Sequence, residues 1–198
     1  METITQAHDA GGYVAAGDAD DAGLVRAVAT GDRAALATLY QRHSQVLLAQ
    51  LTLLTGDRML SEELLQDTML AAWRGAAAFR GESKVRTWLI AIARRQARDR
   101  MRRHRLASVD DTLLAQSPAA EPGPEQLVLG RAEARAVADA ITDLGPAHRE
   151  VLGLVFGAGL TMAEAADLLD VPLNTVKSRL HAARTALTQL LTEKGYVR

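Results

Sequence analysis

Residues 79–105 read FRGESKVRTWLIAIARRQARDRMRRHR. The segment opens on Arg80-Gly81-Glu82-Ser83, a polar run with the composition of a loop. Val85, Trp88, Leu89 and Ile92 follow at offsets of three, four and seven, the spacing of one helical face. Arg94, Arg98, Arg102 and Arg105 then recur in steps of four, four and three. At about 100° per residue that row lies opposite the Val85/Leu89/Ile92 stripe. One helix is therefore expected to bury an apolar and aromatic face and to turn a ridge of guanidinium groups outward. From Lys84 to Arg105 nine Lys or Arg accompany a single acid, Asp99. Such a density repels itself unless a polyanion is near, and nucleic acid is the usual one. A solvated helix end with a basic tail is the plainer alternative. The rest of the chain decides between them.

The chain has 198 residues, enough for one ordinary domain or two small ones with modest cores. Nearly half the residues are apolar, yet there are only two Trp, three Tyr and two Phe. A core of Leu, Ala and Val with helical periodicity and no alternating β-branched runs points to an all-α protein. The formal net charge of −1 conceals strong zoning. Residues 1–23 hold five acids (Glu2, Asp9, Asp18, Asp20, Asp21) and no Lys or Arg. Residues 106–126 hold Asp110, Asp111, Glu121 and Glu125, again without Lys or Arg. Cysteine is absent, which excludes disulfides, a CxxC zinc site and a thiol sensor in this chain, and suits a reducing cytosol. The N-terminus is acidic and lacks the apolar segment of a signal peptide, and no apolar run reaches spanning length. A soluble, cytoplasmic protein without membrane insertion is expected.

Taken in order, residues 1–21 are rich in Ala, Gly and Asp without periodicity and read as a disordered acidic tail. Helical patterns begin at Leu24 and are broken twice, at Thr30-Gly31-Asp32 and at Thr55-Gly56-Asp57. A third helix carries Met59, Leu64, Leu65, Met69, Leu70 and Trp73, with Glu62, Glu63, Gln66 and Asp67 as its polar members. The basic helix completes a first helical domain over residues 22–105. Residues 106–126 form an acidic linker containing Pro118, Pro122 and Pro124, extended or with one short helical piece near Leu113. A second domain over residues 127–198 resumes helical periodicity and is interrupted at Gly145-Pro146, with the proline suited to a first helical turn. The expected architecture is all-α: two small helical domains joined by a flexible acidic linker.

The second domain contains a helix-turn-helix pattern. Thr161-Met162-Ala163-Glu164 has the form of a capping box, and Asp170-Val171-Pro172 makes a turn before a helix starting near Leu173. In that helix Val176, Leu180, Ala183, Leu187 and Leu190 make a continuous core-facing seam. Asn174, Lys177, Ser178, His181 and Ala182 lie opposite, flanked by Arg179 and Arg184, and no acid occurs between Val171 and Thr192. A tight helical pair whose second member is basic on its outer face suits a recognition helix in the major groove. A purely structural helical hairpin is the alternative. Two cationic helices separated by an acidic linker weigh against it.

With these residues in view, the chain resembles the extracytoplasmic-function sigma factors of bacterial RNA polymerase over about residues 22–192. Glu62-Glu63-Leu64-Leu65-Gln66-Asp67-Thr68-Met69-Leu70-Ala71-Ala72-Trp73 is similar to the family's core-polymerase-binding segment. Phe79-Arg80-Gly81-Glu82-Ser83, Thr87-Trp88-Leu89 and Ile92-Ala93-Arg94 resemble its minus-ten recognition and melting segment. Arg149-Glu150-Val151-Leu152 and Thr175-Val176-Lys177-Ser178-Arg179-Leu180 with Ala183-Arg184 resemble its minus-thirty-five domain. It is the three motifs in this order, with a linker of this length, that are specific.

The resemblance implies that Glu63, Leu64, Gln66, Asp67 and Leu70 dock on the β′ clamp of core RNA polymerase, with the β flap as a second contact of the enzyme. It implies that Arg80, Gly81, Glu82, Ser83 and Lys84 hold a base flipped from the non-template strand, with Trp88 supporting its helix. Extrusion costs a few kcal/mol, which a preformed pocket and backbone contacts can offset. Arg94, Arg98 and Arg102 would carry phosphate contacts beside Arg95. Lys177, Ser178 and His181 would read the upstream element with Asn174 and Thr175, and Arg179 and Arg184 would meet phosphates. The acidic linker would thread the polymerase's RNA path, and an anti-sigma factor would cover the DNA-binding domains. Arg95 and Asp99 stand where many relatives carry Asn, and Ala182 replaces a frequent Arg, removing a guanine contact worth ~1–3 kcal/mol. Asp170 occupies a turn position often given to Gly and can adopt its left-handed conformation. An enzyme is not expected. The five His have no metal-ligand spacing, no phosphate-cradling glycine loop is present, and neither a cofactor nor a metal is implied. His43 and His148 read as surface or partly packed residues, and Trp73 and Trp88 as core anchors. The rival function is a polymerase-independent helix-turn-helix regulator, which leaves the arginine ridge and the Gln66-Asp67 helix without a role.

Overall fold

The computed structural model describes residues 11–107 and 128–196, and among them there are eight α-helices and no strand. The first group is α1 (Gly11–Ala29), α2 (Arg33–Thr55), α3 (Arg58–Gly75) and α4 (Val85–Ala107), with a 3-10 turn at Ala76–Ala78. The second is α5 (Val128–Asp143), α6 (Pro146–Leu152), α7 (Met162–Leu169) and α8 (Leu173–Glu193), with a π turn at Gly153–Gly157 continuing α6. The expected acidic linker falls, from residue 108 onward, outside the described residues, as does the helical piece near Leu113.

The two breaks in the first group are one device used twice. Gly31 and Gly56 take left-handed conformations (φ 94° and 70°) that end a helix without a Cβ clash. Asp32 then caps α2 by accepting from the amides of Ala34 and Ala35, and Asp57 caps α3 by accepting from Leu60. Such short connections bring α2, α3 and α4 into mutual contact. Val85, Leu89, Ile90, Ala93 and Ala97 give α4 its buried face against Leu47, Leu51, Leu64 and Leu65. Ile92 and Trp88, expected in that face, pack only partly.

The tail expectation needs correction. Helix α1 already spans Gly11–Ala29, so residues 11–21 are helical, and Asp21 is buried. Its carboxylate meets His43 Nε2 at 2.7 Å and accepts from Arg42 Nη1 at 2.7 Å, while Arg42 also reaches Asp20 at 2.6 Å. His43 is likewise buried rather than superficial. Composition marks this stretch as acidic, but the partners of Asp20 and Asp21 stand some twenty positions downstream on α2.

In the second group the capping box forms as expected. Thr161 Oγ1 accepts from Glu164 N at 3.1 Å, and Thr161 N donates to Glu164 Oε2 at 2.7 Å. Asp170 adopts φ 54°, ψ 50°, the left-handed turn between α7 and α8. On α8, Val176, Leu180 and Ala183 are buried, and Leu187 and Leu190 partly so. Buried residues from Val25 to Ala183, drawn from both groups, form one apolar cluster. Helix α6 and the π turn lie against α2, and α7 against α4.

Burial pushes the Glu164 carboxyl up. Hydrogen bonds from Thr161 and the nearby Lys84 ammonium outweigh that and hold it below the ordinary glutamate value. A depressed folded-state pKa gives stability that is full above the ordinary value and is lost as pH falls through the folded one. Thr161→Ala should lower unfolding free energy by about 1 kcal/mol in urea titrations followed by circular dichroism. Glu164→Gln should be least stable relative to the parent near neutral pH and should converge with it in acid.

Candidate nucleic-acid interface

Between the 3-10 turn and α4 the chain makes the polar loop read from the sequence. Gly81 sits at φ 74°, a left-handed conformation that a side chain would strain, and lets the loop reverse. Arg80, Glu82, Ser83 and Lys84 are exposed around it, with Arg80 and Glu82 3.8 Å apart. Phe79 and Trp88 lie beneath, their ring centroids 5.0 Å apart at 44°. Together Ala78, Phe79, Arg80, Glu82, Ser83 and Trp88 line a hollow of about 360 Å³. Trp88 therefore both supports α4 and walls the hollow.

Along α4 the arginines divide. Arg98 and Arg102 are exposed, Arg102 at 71% of its side chain, and Arg95 faces solvent beside them. Asp99 Oδ1 accepts from Arg102 at 3.3 Å, and Arg100 meets Glu63 of α3 at 3.0 Å. Arg94 departs from the expected ridge: it is only 3% exposed. Its Nε and Nη2 donate to Glu150 Oε1 at 3.0 and 2.5 Å, and its Nη1 donates to the carbonyl of Leu168 at 2.6 Å. The helical wheel put Arg94 opposite the apolar stripe correctly. What it could not show is that α6 and α7 cover that side. Desolvation pulls the Arg94 pKa below its ordinary value, and the charge and hydrogen bonds of Glu150 pull the other way.

Helix α3 offers a second surface. Glu62, Glu63, Gln66, Asp67 and Leu70 are exposed on one side, a mixed acidic and apolar strip. Leu64, grouped with them at first, is 2% exposed and belongs to the apolar interior, as i, i+4 spacing with Thr68 dictates. On α8, Asn174, Lys177, Ser178, His181 and Arg184 are exposed, while Thr175 and Arg179 are half-buried. No acid of α8 interrupts that basic face.

Gln50 and Arg86, which help join the two groups, carry no motif in the sequence. Gln50 Nε2 donates to the Gly153 carbonyl at 2.7 Å, Arg86 Nη1 to that of Ala158 at 3.1 Å, and Lys84 Nζ lies 3.4 Å from Glu164 Oε1. A polar residue on an apolar face, as Gln50 is, was the single sequence signal available.

Residues 39–107 match the family described as Sigma-70 region 2, and residues 140–189 the one described as Sigma-70, region 4. The chain is 33% identical to the RNA polymerase sigma factor NccH of Alcaligenes xylosoxydans xylosoxydans over 175 residues, covering 86% of this chain and 94% of that protein. It is 32% identical to the ECF RNA polymerase sigma factor SigL of Mycobacterium tuberculosis, covering 88% of this chain and 98% of that one. Among solved structures it is similar to CnrH in complex with the cytosolic domain of CnrY, with a TM-score of 0.64 at 26% identity, covering 87% of this chain and 97% of that one. It is also similar to the sigma factor RpoE in complex with the anti-sigma factor NepR from Bartonella quintana, with a TM-score of 0.65 at 28% identity, covering 78% and 97%.

Each exposed arginine that meets a phosphate releases about one counterion. Arg102→Ala should flatten the slope of log K against log salt by about 0.7 for a single strand, and Arg184→Ala by about 0.9 for a duplex. Anisotropy titrations at several salt concentrations read both.

Proposed function

Since the chain belongs to the extracytoplasmic-function group of the sigma-70 family of RNA polymerase sigma factors, we propose that it brings core polymerase to its own promoters by the surfaces described above. The exposed strip Glu63, Gln66, Asp67 and Leu70 on α3 docks on the β′ clamp. The second group contacts the β flap. The hollow floored by Phe79 and Trp88 takes a base extruded from the non-template strand, and Arg80, Gly81, Glu82, Ser83 and Lys84 hold its backbone. Arg95, Arg98 and Arg102 follow the adjacent phosphates. Helix α8 enters the major groove of the minus-thirty-five element, where Lys177, Ser178 and His181 reach base edges and Asn174, Thr175, Arg179 and Arg184 steady it on the backbone.

The observation that carries this reading is the pairing of two helices bearing exposed cations with one exposed acidic and apolar strip on α3. A regulator working without polymerase would use α8 alone. The protein itself performs no chemistry in this scheme and acts in the cytoplasm, as a subunit. Two structural relatives, CnrH and RpoE, are held by a partner, CnrY and the anti-sigma factor NepR respectively. This chain is proposed to be held by an anti-sigma factor of its own.

Run-off transcription with purified core enzyme tests the proposal. Addition of the protein should yield discrete products from a subset of genomic fragments, and gel shifts should be weak until core is present. Asp67→Ala with Leu70→Ala should lower product at least about tenfold, the loss of one interface hot spot, without altering the circular dichroism spectrum. Tight operator binding by the protein alone, with no transcription, would favour the regulator.

A further inference from the structure

Helix α8 carries one large apolar side chain at its start that the interior does not use. Val176, Leu180, Leu187 and Leu190 lie in or against the apolar cluster, whereas Leu173 does neither and is 40% exposed. A single exposed leucine is ordinary on a protein surface. Position sets this one apart. Residues four apart on a helix form one surface ridge, so Leu173, Lys177 and His181 share a row, and Asn174, Ser178 and Ala182 make the row beside it. All six are exposed. Helical side chains lean toward the N-terminus, which makes Leu173 the leading contact of its row. It is the first residue of α8, directly after the Asp170-Val171-Pro172 turn. A recognition helix enters the major groove with its N-terminal residues on base edges. Leu173 therefore stands ahead of Lys177 and His181 at the end of α8 that faces the bases.

What covers this leucine follows from its neighbours' charge and from its own chemistry. No acid occurs between Val171 and Thr192, and Lys177 and Arg184 are exposed along the same helix, which suits a polyanion. A leucine side chain has no donor or acceptor and can read no base by hydrogen bonding. Among the base edges of the major groove only thymine offers an apolar group, its C5 methyl.

We propose that Leu173 reads a thymine of the upstream element through its C5 methyl group, a specificity-determining contact beside the hydrogen-bonding residues of α8. The inference rests on the assignment of α8 to that element and adds a base identity to it. Met162 is the comparison residue. It is exposed to the same degree, 41%, but opens α7, the first helix of the pair, which crosses the backbone rather than entering the groove. It should have no part in reading the methyl group.

The test takes the full chain with core polymerase and selects bound fragments from a random duplex library. In the selected fragment each thymine of the upstream element is replaced in turn by deoxyuridine, which removes the methyl group and keeps the pairing. At one position affinity should fall about fourfold, the worth of one buried methyl group. 5-Methylcytosine at that position should bind better than cytosine by the same factor. Leu173→Ala should bind the thymine and deoxyuridine duplexes equally, and Met162→Ala should keep the fourfold preference, each with the parent's circular dichroism spectrum. The proposal is overturned if no deoxyuridine replacement weakens binding by the wild-type protein. It is equally overturned if Leu173→Ala retains the preference, or if Met162→Ala loses it. The deoxyuridine scan is made on unaltered protein, so it decides the matter even where a variant misfolds. Selection of no duplex, with or without core, would overturn the functional assignment and this inference together. A methyl effect that Leu173→Ala removes, without any run-off product, would strike the assignment to polymerase and leave the contact standing.

Discussion

The enclosed guanidinium of Arg94 is the constraint on which the arrangement of the two helical groups depends. An arginine in an apolar setting stays charged, because its intrinsic pKa is far above neutrality, so it must find acceptors for its donors. Glu150 and the Leu168 carbonyl supply them from two separate helices. The Coulombic gain of such a buried pair is largely spent against desolvation. Its geometric effect is to tie α6 and α7 to the same point of α4. Gln50 adds a second fixed point at Gly153, where the absence of a side chain lets the π turn approach α2.

Around this junction the first group is held by small residues and caps. Ala72, Ala76, Ala93 and Ala97 are all buried, so helices can pack closely with little side-chain entropy lost. The Asp32 and Asp57 caps close two successive helix starts, and Asp21 ties α1 to α2 through His43 and Arg42. None of these contacts uses the outer faces of α3 or α8. Those faces are solvent-exposed, with Glu63 of α3 also paired to Arg100.

The economy of the design lies in which charges are shared. Arg102 and Arg95 have no role in holding the two groups together, whereas Lys84, Arg94 and Arg98 do. Arg94 is enclosed, while Arg80 beside the hollow and Arg98 and Arg102 farther along α4 stay exposed.

The residues alone determined the helices from α2 onward, the two Thr-Gly-Asp breaks, the capping box, the left-handed Asp170 and the basic face of α8. Each is a local matter, settled by turn chemistry and the 3.6-residue period within one element. Charge zoning along the chain likewise marked the two cationic helices before any packing was known. Tertiary structure alone decided that Arg94 is enclosed, that Leu64 faces inward beside the exposed Gln66 and Asp67, and that Asp21, in an apparent tail, is buried against His43 of α2. The period tells which residues share a face, but not which neighbour covers it. A charge is exposed or paired according to elements that lie tens of residues away. Glu150 is 56 positions from Arg94, and only the fold brings them together.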